Sequence, residues 1–475
     1  MESREDQFRD QGEGLDPAVS ESTPDETVIP RHAAVAVAEP ETSTDSGVIT
    51  TPDAVIVLEH TEPAEDRRRR YSVSVLLVVF GALVGYLGMK TSGSARFALS
   101  DFFSEVQLPT FTLPAHSTAV IAGVLCIAGG LTYFFVGRKY PTLVKIISAI
   151  VMIVGLVGFL CWAVADKPAA FSLSRLLTGG LSFATPLVMG ALAGSLGERA
   201  GVINIAIEGQ LLAGAFSSAL VGSLTGSLLA ALAAAAASGI FVAVLMGLFS
   251  LKYWVDQVVL GVVINMLVSG LTGFLFDVLM RGSGGQAYNS APMLPTIKIP
   301  LLGDIPFFGE ILFNQTLLVY IAYVSVVVVI FLLNRTKWGL RVRSVGEHPK
   351  AADTVGIRVN RIKWSAIMVG GIFAGLGGVF YTMCQTGSFS KDMTSGHGYI
   401  ALAAVIMGRW RPGLATAMAL FFGLVTQLGS QLQSFNTPIP SSFFLMLPYL
   451  ATIIAVAGLI GLVRAPKADG VIYGK

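Results

Sequence analysis

A succession of apolar runs, each long enough or nearly long enough to cross a hydrocarbon core of about 30 Å, dominates this chain. They lie near 73–89, 117–136, 143–164, 175–195, 205–222, 225–249, 257–279, 316–334, 363–384, 397–409, 413–432 and 443–464. Only 13% of the residues are charged and the mean hydropathy is +0.70, a balance outside the range of soluble globular domains. Backbone polar groups inside lipid must be satisfied within their own segment, so the runs predict an all-α polytopic membrane protein. The run 397–409 is short for a crossing and suits a re-entrant segment, and 205–222 suits part of a broken helix. The expected number of transmembrane helices is therefore about 10–12.

Charge is divided unevenly along the chain. Residues 1–66 hold 17 acidic and 3 basic residues, whereas the remainder holds 13 acidic and 29 basic ones. The acidic part is rich in Ser, Thr, Pro and Ala, has few aromatics and shows no sustained periodicity, which predicts a disordered tail. Its first 30 residues hold no apolar h-region of the kind a secretory leader needs. Arg67 to Arg70 directly precede the first run and place its start on the cytoplasmic side.

With that start, the inner loops carry Arg138, Lys139, Arg199, Lys252, the group from Arg335 to Lys363, then Arg409, Arg411, Arg464 and Lys467. Outer loops hold fewer: Lys90, Arg96, Lys167, Arg281, Lys298 and Lys391. This asymmetry predicts a multi-pass protein of the cell membrane with both termini cytoplasmic. The segment from Arg281 to Gln315 is then the longest external loop, open to a docking partner or simply surface.

The stretch from Thr185 to Phe216, TPLVMGALAGSLGERAGVINIAIEGQLLAGAF, interrupts apolar sequence with Gly197-Glu198-Arg199 and Asn204, then with Glu208 and Gln210. Such groups are costly in a bilayer unless they face protein, water or a solute. Two readings stand. In one, Glu198 and Arg199 form a short cytoplasmic turn and Glu208 lies solvated at the interface; in the other, Asn204, Glu208 and Gln210 line a pathway. Asn204 and Glu208 share a helix face if the helix is already formed there. Asn265, in the middle of 257–279, is either an interhelical hydrogen-bonding group or a channel contact. Asp256 and Gln257 are placed at the start of that span. Gly370, Gly371, Gly375, Gly377 and Gly378 predict close helix packing.

The cytoplasmic segment Asn334 to Lys363, NRTKWGLRVRSVGEHPKAADTVGIRVNRIK, is strongly basic. Pro349 suits the first turn of a short helix to Val355, and Gly356 suits its stop. By composition alone it is a solvated loop.

GERAGVINIAIEG followed by a small-residue helix resembles the signature region of the permeases of ATP-binding cassette importers for nucleosides and simple sugars, a branch related to the branched-chain amino acid permeases. The resemblance continues through DQVVLGVVINML and GEHPKAADTVGI and covers roughly residues 173–465. It implies a permease domain over 173–465, preceded by an accessory block of about three helices at 67–172 and followed by a cytoplasmic C-terminal tail at 466–475. It also implies a substrate pathway near Asn204, Glu208, Gln210 and Asn265, and an ATPase coupling loop in which Glu347, Ala351, Ala352 and Gly356 match E-x-x-x-A-A-x-x-x-G. The implied partners are two ABC ATPase subunits, a second permease chain or a second copy of this one, and an external solute-binding protein.

The chain itself is expected to be a non-catalytic subunit that binds no cofactor, with ATP used by its ATPase partners. It holds no G-x-x-x-x-G-K-[ST] phosphate loop, and in the nearest string Met89 separates Gly88 from Lys90. His32, His60, His116, His348 and His397 lack ligand spacing, so no metal is expected. Cys126, Cys161 and Cys384 all lie in apolar runs and suit packing. Nucleic-acid binding is not expected, since so short an arginine run beside a span is explained by topology. The alternatives are a simple-sugar or branched-chain amino acid permease of the same architecture, an ion-coupled secondary transporter, for which paired intramembrane acids and bases are sparse, and a structural scaffold.

Overall fold

The computed structural model describes residues 50–51, 54–55, 64–101, 107–138, 140–281, 288–435, 437, 439–454 and 464–474. The expected disordered tail lies outside the described residues, apart from the antiparallel pair β1 (Thr50–Thr51) and β2 (Ala54–Val55) and the start of the first helix. Those two strands fall in one unit, Met1–Thr61, and the helices in another, Glu62–Lys475.

The first three helices are α1 (Ala64–Met89), α2 (Ala115–Val136) and α3 (Pro141–Val164). Arg67 to Arg70 sit in the opening turns of α1, and Arg70 donates to the Phe134 carbonyl near the end of α2 at 2.8 Å. Small residues let these helices touch. A Cβ on Gly123 would lie 2.7 Å from the Gly81 carbonyl, which only a glycine avoids. A three-stranded sheet of order β4-β3-β5, with β3 (Ser94–Ala98), β4 (Thr110–Pro114) and β5 (Phe171–Ser172), closes the end of this block, placing Phe97 opposite both Phe111 and Phe171. Phe97 and Phe171 pack in one cluster with Leu160, Leu428, Leu432 and Phe435, which joins the block to the rest of the bundle.

The larger body comprises α4 (Leu173–Arg199), α5 (Ile207–Thr225), α6 (Leu228–Gly247) and α7 (Gln257–Leu275). The connection that follows carries β6 (Thr296–Lys298), α8 (Phe308–Phe313) and β7 (Asn314–Thr316), with β6 paired antiparallel to β7. Then come α9 (Leu317–Arg335), α10 (Lys337–Glu347), α11 (Pro349–Thr354), α12 (Val359–Val379), α13 (His397–Met407), α14 (Pro412–Gln433), α15 (Ser441–Leu445) and α16 (Leu447–Ile454). α6, α7 and α12 each run on into a π-helical turn, at Leu248–Lys252, Phe276–Met280 and Phe380–Thr386.

Among the described residues nine helices are long and apolar enough to cross a membrane, and the chain is a multi-pass membrane protein. Three of the expected runs fall outside the nine. α5 carries Glu208 and Gln210 in its first turn, α13 has only 11 residues, and α16 ends at Ile454 where the described residues stop.

Glycine sets the core. α12 packs on α6 and α5 so closely that a Cβ on Gly375 would lie 2.2 Å from the Ala235 carbonyl, and one on Gly378 2.0 Å from the Leu211 carbonyl. With the side chains out of the way, backbone meets backbone, which is where dispersion is gained when no hydrophobic force operates between helices in lipid. α4 is deeply enclosed in this core, its second half from Ala184 to Glu198 buried throughout.

Candidate functional site

α4 ends at Arg199, and the chain reverses through Gly201, whose φ of +78° is readily available only to glycine. α5 begins only at Ile207, so Asn204 lies in the connecting loop and not on a shared helix face with Glu208. Two of the four residues singled out here by sequence bond each other directly, and Asn265 reaches the backbone beside Glu208. Buried Asn204 donates through Nδ2 to Gln210 Oε1 at 3.1 Å. Asn265 on α7 accepts from the Gly209 backbone N–H at 2.8 Å and donates through Nδ2 to the Ile205 carbonyl and to Tyr399 Oη, each at 3.0 Å. That gives Asn265 its interhelical hydrogen bonds. Asp256 caps α7 by accepting from the N–H groups of Val258 and Val259, both at 2.9 Å, and Gln257 accepts from the Ile203 N–H.

Glu208 is tied to the start of α13. Its Oε1 accepts from Thr394 Oγ1 at 2.6 Å and from the Gly396 N–H at 2.8 Å, and its Oε2 accepts from the Gly398 N–H at 2.6 Å. These donors belong to the first turn of α13 and the segment before it. The first N–H groups of a helix have no partner within the helix and carry its positive dipole end, so a carboxylate there satisfies both. Only glycine fits at 398, where a Cβ would lie 2.5 Å from the Glu208 nitrogen. Tyr381 packs near His397 with ring centroids 5.6 Å apart and the rings tilted, and Tyr449 donates to the Ser395 carbonyl at 2.9 Å. Three polar atoms of this region, Asn204 Oδ1, Gln210 Nε2 and Tyr381 Oη, are buried without a hydrogen-bond partner among the described residues.

A second polar layer lies at the end of α4. Glu198 and Arg199 are not a solvated turn: they form the last turn of the helix, and Glu198 is buried. Trp410, in the turn between α13 and α14, donates its indole N–H to Glu198 Oε2, while Arg199 Nε donates to the Trp410 carbonyl at 2.8 Å. Lys363 on α12 is 0% exposed and donates to the carbonyls of Gly201 and Val471, each at 3.2 Å. The C-terminal segment is thereby seated here, with the Ala468 N–H on the Gly346 carbonyl at 2.9 Å. Burial pushes the Asp469 carboxyl up to about 7, and the positive charge of Lys363 draws it partly back.

The proposed coupling residues form one protruding unit. α11 starts at Pro349 and its end is marked by Gly356, which has φ +84° and open space around it. Ala352 is buried with Val345 and Val359, and Tyr473 packs on the same cluster, while Glu347 and Ala351 are exposed. Val355, at the tip, is 74% exposed. Gly346 presses on α4: a Cβ there would lie 2.1 Å from the Arg199 carbonyl.

Tyr381, Thr394, Gly396, Gly398, Trp410 and Asp469 were not selected from sequence. The glycines and short polar residues from Gly387 to Gly398 were the one available local sign, and nothing nearby in sequence pairs Glu198 with Trp410.

Along 317 residues, which are 64% of this chain and 97% of the relative, the protein is 41% identical to the guanosine ABC transporter permease protein NupQ of Bacillus subtilis. It is 38% identical over 315 residues to the nucleoside ABC transporter permease protein NupC of Lactococcus lactis, again 64% of this chain and 98% of the relative. No solved structure matches it. Residues 176–456, from α4 to the last described helix and just beyond, match the family described as branched-chain amino acid transport system / permease component, and the chain belongs to that permease family.

Proposed function

We propose that this protein is the pathway-forming subunit of an ATP-driven importer of nucleosides or related ribose-containing solutes. The observation that carries the reading is the set of buried polar atoms near Glu208 that have no hydrogen-bond partner among the described residues: Asn204 Oδ1, Gln210 Nε2 and Tyr381 Oη. Unsatisfied buried groups are costly, and one acceptor with two donors in a largely apolar surround suits the edge of a neutral base or sugar better than an ion. The printed substrates of NupQ and NupC support the same class.

In this reading Asn204, Glu208, Gln210 and Asn265 border the pathway, with Glu208 holding the start of the short helix α13 in place. The unit around Glu347, Ala351, Ala352 and Gly356 seats in an ATPase subunit. Its contact at Gly346 then passes movement to the end of α4, and through the Gly201 turn to α5 and Glu208. The basic residues of 335–363 favour an orientation with both termini cytoplasmic. ATP is consumed by two partner ATPases, a second permease chain or copy completes the pathway, and an external binding protein delivers the solute. Co-purification with candidate ATPase subunits, followed by measurement of guanosine-stimulated ATP hydrolysis in the presence of a binding protein, tests the assembly. ATPases that neither bind nor respond contradict it.

A further inference from the structure

Arg199, Arg343 and Arg411 line one cleft of about 590 Å³. It opens between the end of α9, the middle of α10 and the start of α14. Asn334 adds a polar amide, and none of the described residues lining it is acidic. Arg199 is fixed from behind by the Trp410 carbonyl, and it interacts with the positive charges of Arg343 and Arg411, with Glu347 as a countercharge. Arg343 Nε is buried without a hydrogen-bond partner among the described residues. Three guanidinium groups in a confined space repel one another, Glu347 offsets part of that charge, and their planar forks match the oxygens of a phosphate that would offset more.

The remaining wall is apolar. Ile330 and Leu414 line the cleft, and α9 leaves Val324, Val327 and Phe331 exposed. A free phosphate has no use for such a wall, whereas a phospholipid places its phosphate at the arginines and its chains along α9. Basic pockets between transmembrane helices bind anionic headgroups in this manner. The geometry points to a binding site for the phosphate of an anionic phospholipid, held by Arg199, Arg343 and Arg411. The site is independent of the solute carried.

The test uses the full chain in nanodiscs of phosphatidylglycerol or of phosphatidylcholine, with retained lipid counted by native mass spectrometry and the melting midpoint followed in parallel. The wild type retains phosphatidylglycerol and melts higher in it. The double variant Arg343→Gln with Arg411→Gln retains it roughly tenfold more weakly, and the midpoint difference disappears. Arg343→Lys with Arg411→Lys, which keeps the charge, preserves most of the difference and guards against mere misfolding. Arg358→Gln with Arg361→Gln, removing equal charge from exposed positions at the start of α12, leaves retention unchanged. Equal behaviour in the two lipids, or unchanged retention by the Gln pair, overturns the site. A midpoint rise with inorganic phosphate alone in phosphatidylcholine assigns the cleft to a soluble anion and overturns the lipid.

Discussion

Gly398 donates its backbone N–H to the Glu208 carboxylate at 2.6 Å, joining α5 to a helix 190 residues further along the chain. With the Gly396 and Thr394 donors, this makes Glu208 the acceptor that closes the open end of α13. Replacing it with Gln turns one acceptor into a donor facing a donor. The substitution Glu208→Gln is expected to cost about 1–3 kcal/mol for the group left unpaired. Solute uptake falls while membrane insertion and subunit assembly are retained, and Glu208→Ala is worse on both counts. Melting curves and uptake of the purified, reconstituted variants check this, and wild-type values for both variants contradict the bridging role.

Close helix packing makes a contrasting pair of glycine substitutions informative. Gly378→Ala drives a methyl group to 2.0 Å from the Leu211 carbonyl, a backbone atom with nowhere to move, and folded yield should collapse. Gly270→Ala meets nothing within 4 Å and should leave stability unchanged or raise it by about 0.5–1 kcal/mol. Size-exclusion profiles of the two variants in detergent separate the cases.

The α10–α11 unit makes a prediction about association. Val355→Asp replaces an exposed apolar tip with a charge, and Gly356→Ala forces a side chain into left-handed backbone at about 1–2 kcal/mol. Both are expected to weaken ATPase association in pull-downs with insertion unaffected, as is Glu347→Ala. Normal association in all three removes the coupling role from this segment.

The C-terminal segment carries a pH dependence whose sign follows from Asp469. Its carboxyl rises from an ordinary 3.8 to about 7 on burial. The docked form therefore binds the proton more tightly. The stabilisation is complete below the ordinary value and is lost as pH rises through about 7. Protease resistance of residues 464–474 should be higher at pH 6 than at pH 8, and Asp469→Asn should flatten the difference. Opposite dependence would contradict the burial of that carboxyl.

Local patterns carried much of this architecture. Apolar length marked the nine spans, Pro349 and Gly356 bracketed α11, and the glycines of α12 announced its close contacts. The geometry around Glu208 was not legible in the sequence. Asn204 and Glu208 read as one helix face because nothing in composition marks the helix start at Ile207, which depends on the turn at Gly201. The partners of Glu208 and Glu198 lie 186–190 and 212 residues away, and such pairings follow from how helices stack. Lys363 read as part of a basic loop, yet its ammonium is buried against two carbonyls, one of them in the C-terminal segment.

The central claim is tested most directly by uptake of labelled guanosine in cells with and without this gene, with ion gradients collapsed and ATP maintained. Gene-dependent uptake that persists under those conditions is the predicted result. Uptake that vanishes with the gradients, or that never depends on the gene, contradicts an ATP-driven nucleoside importer.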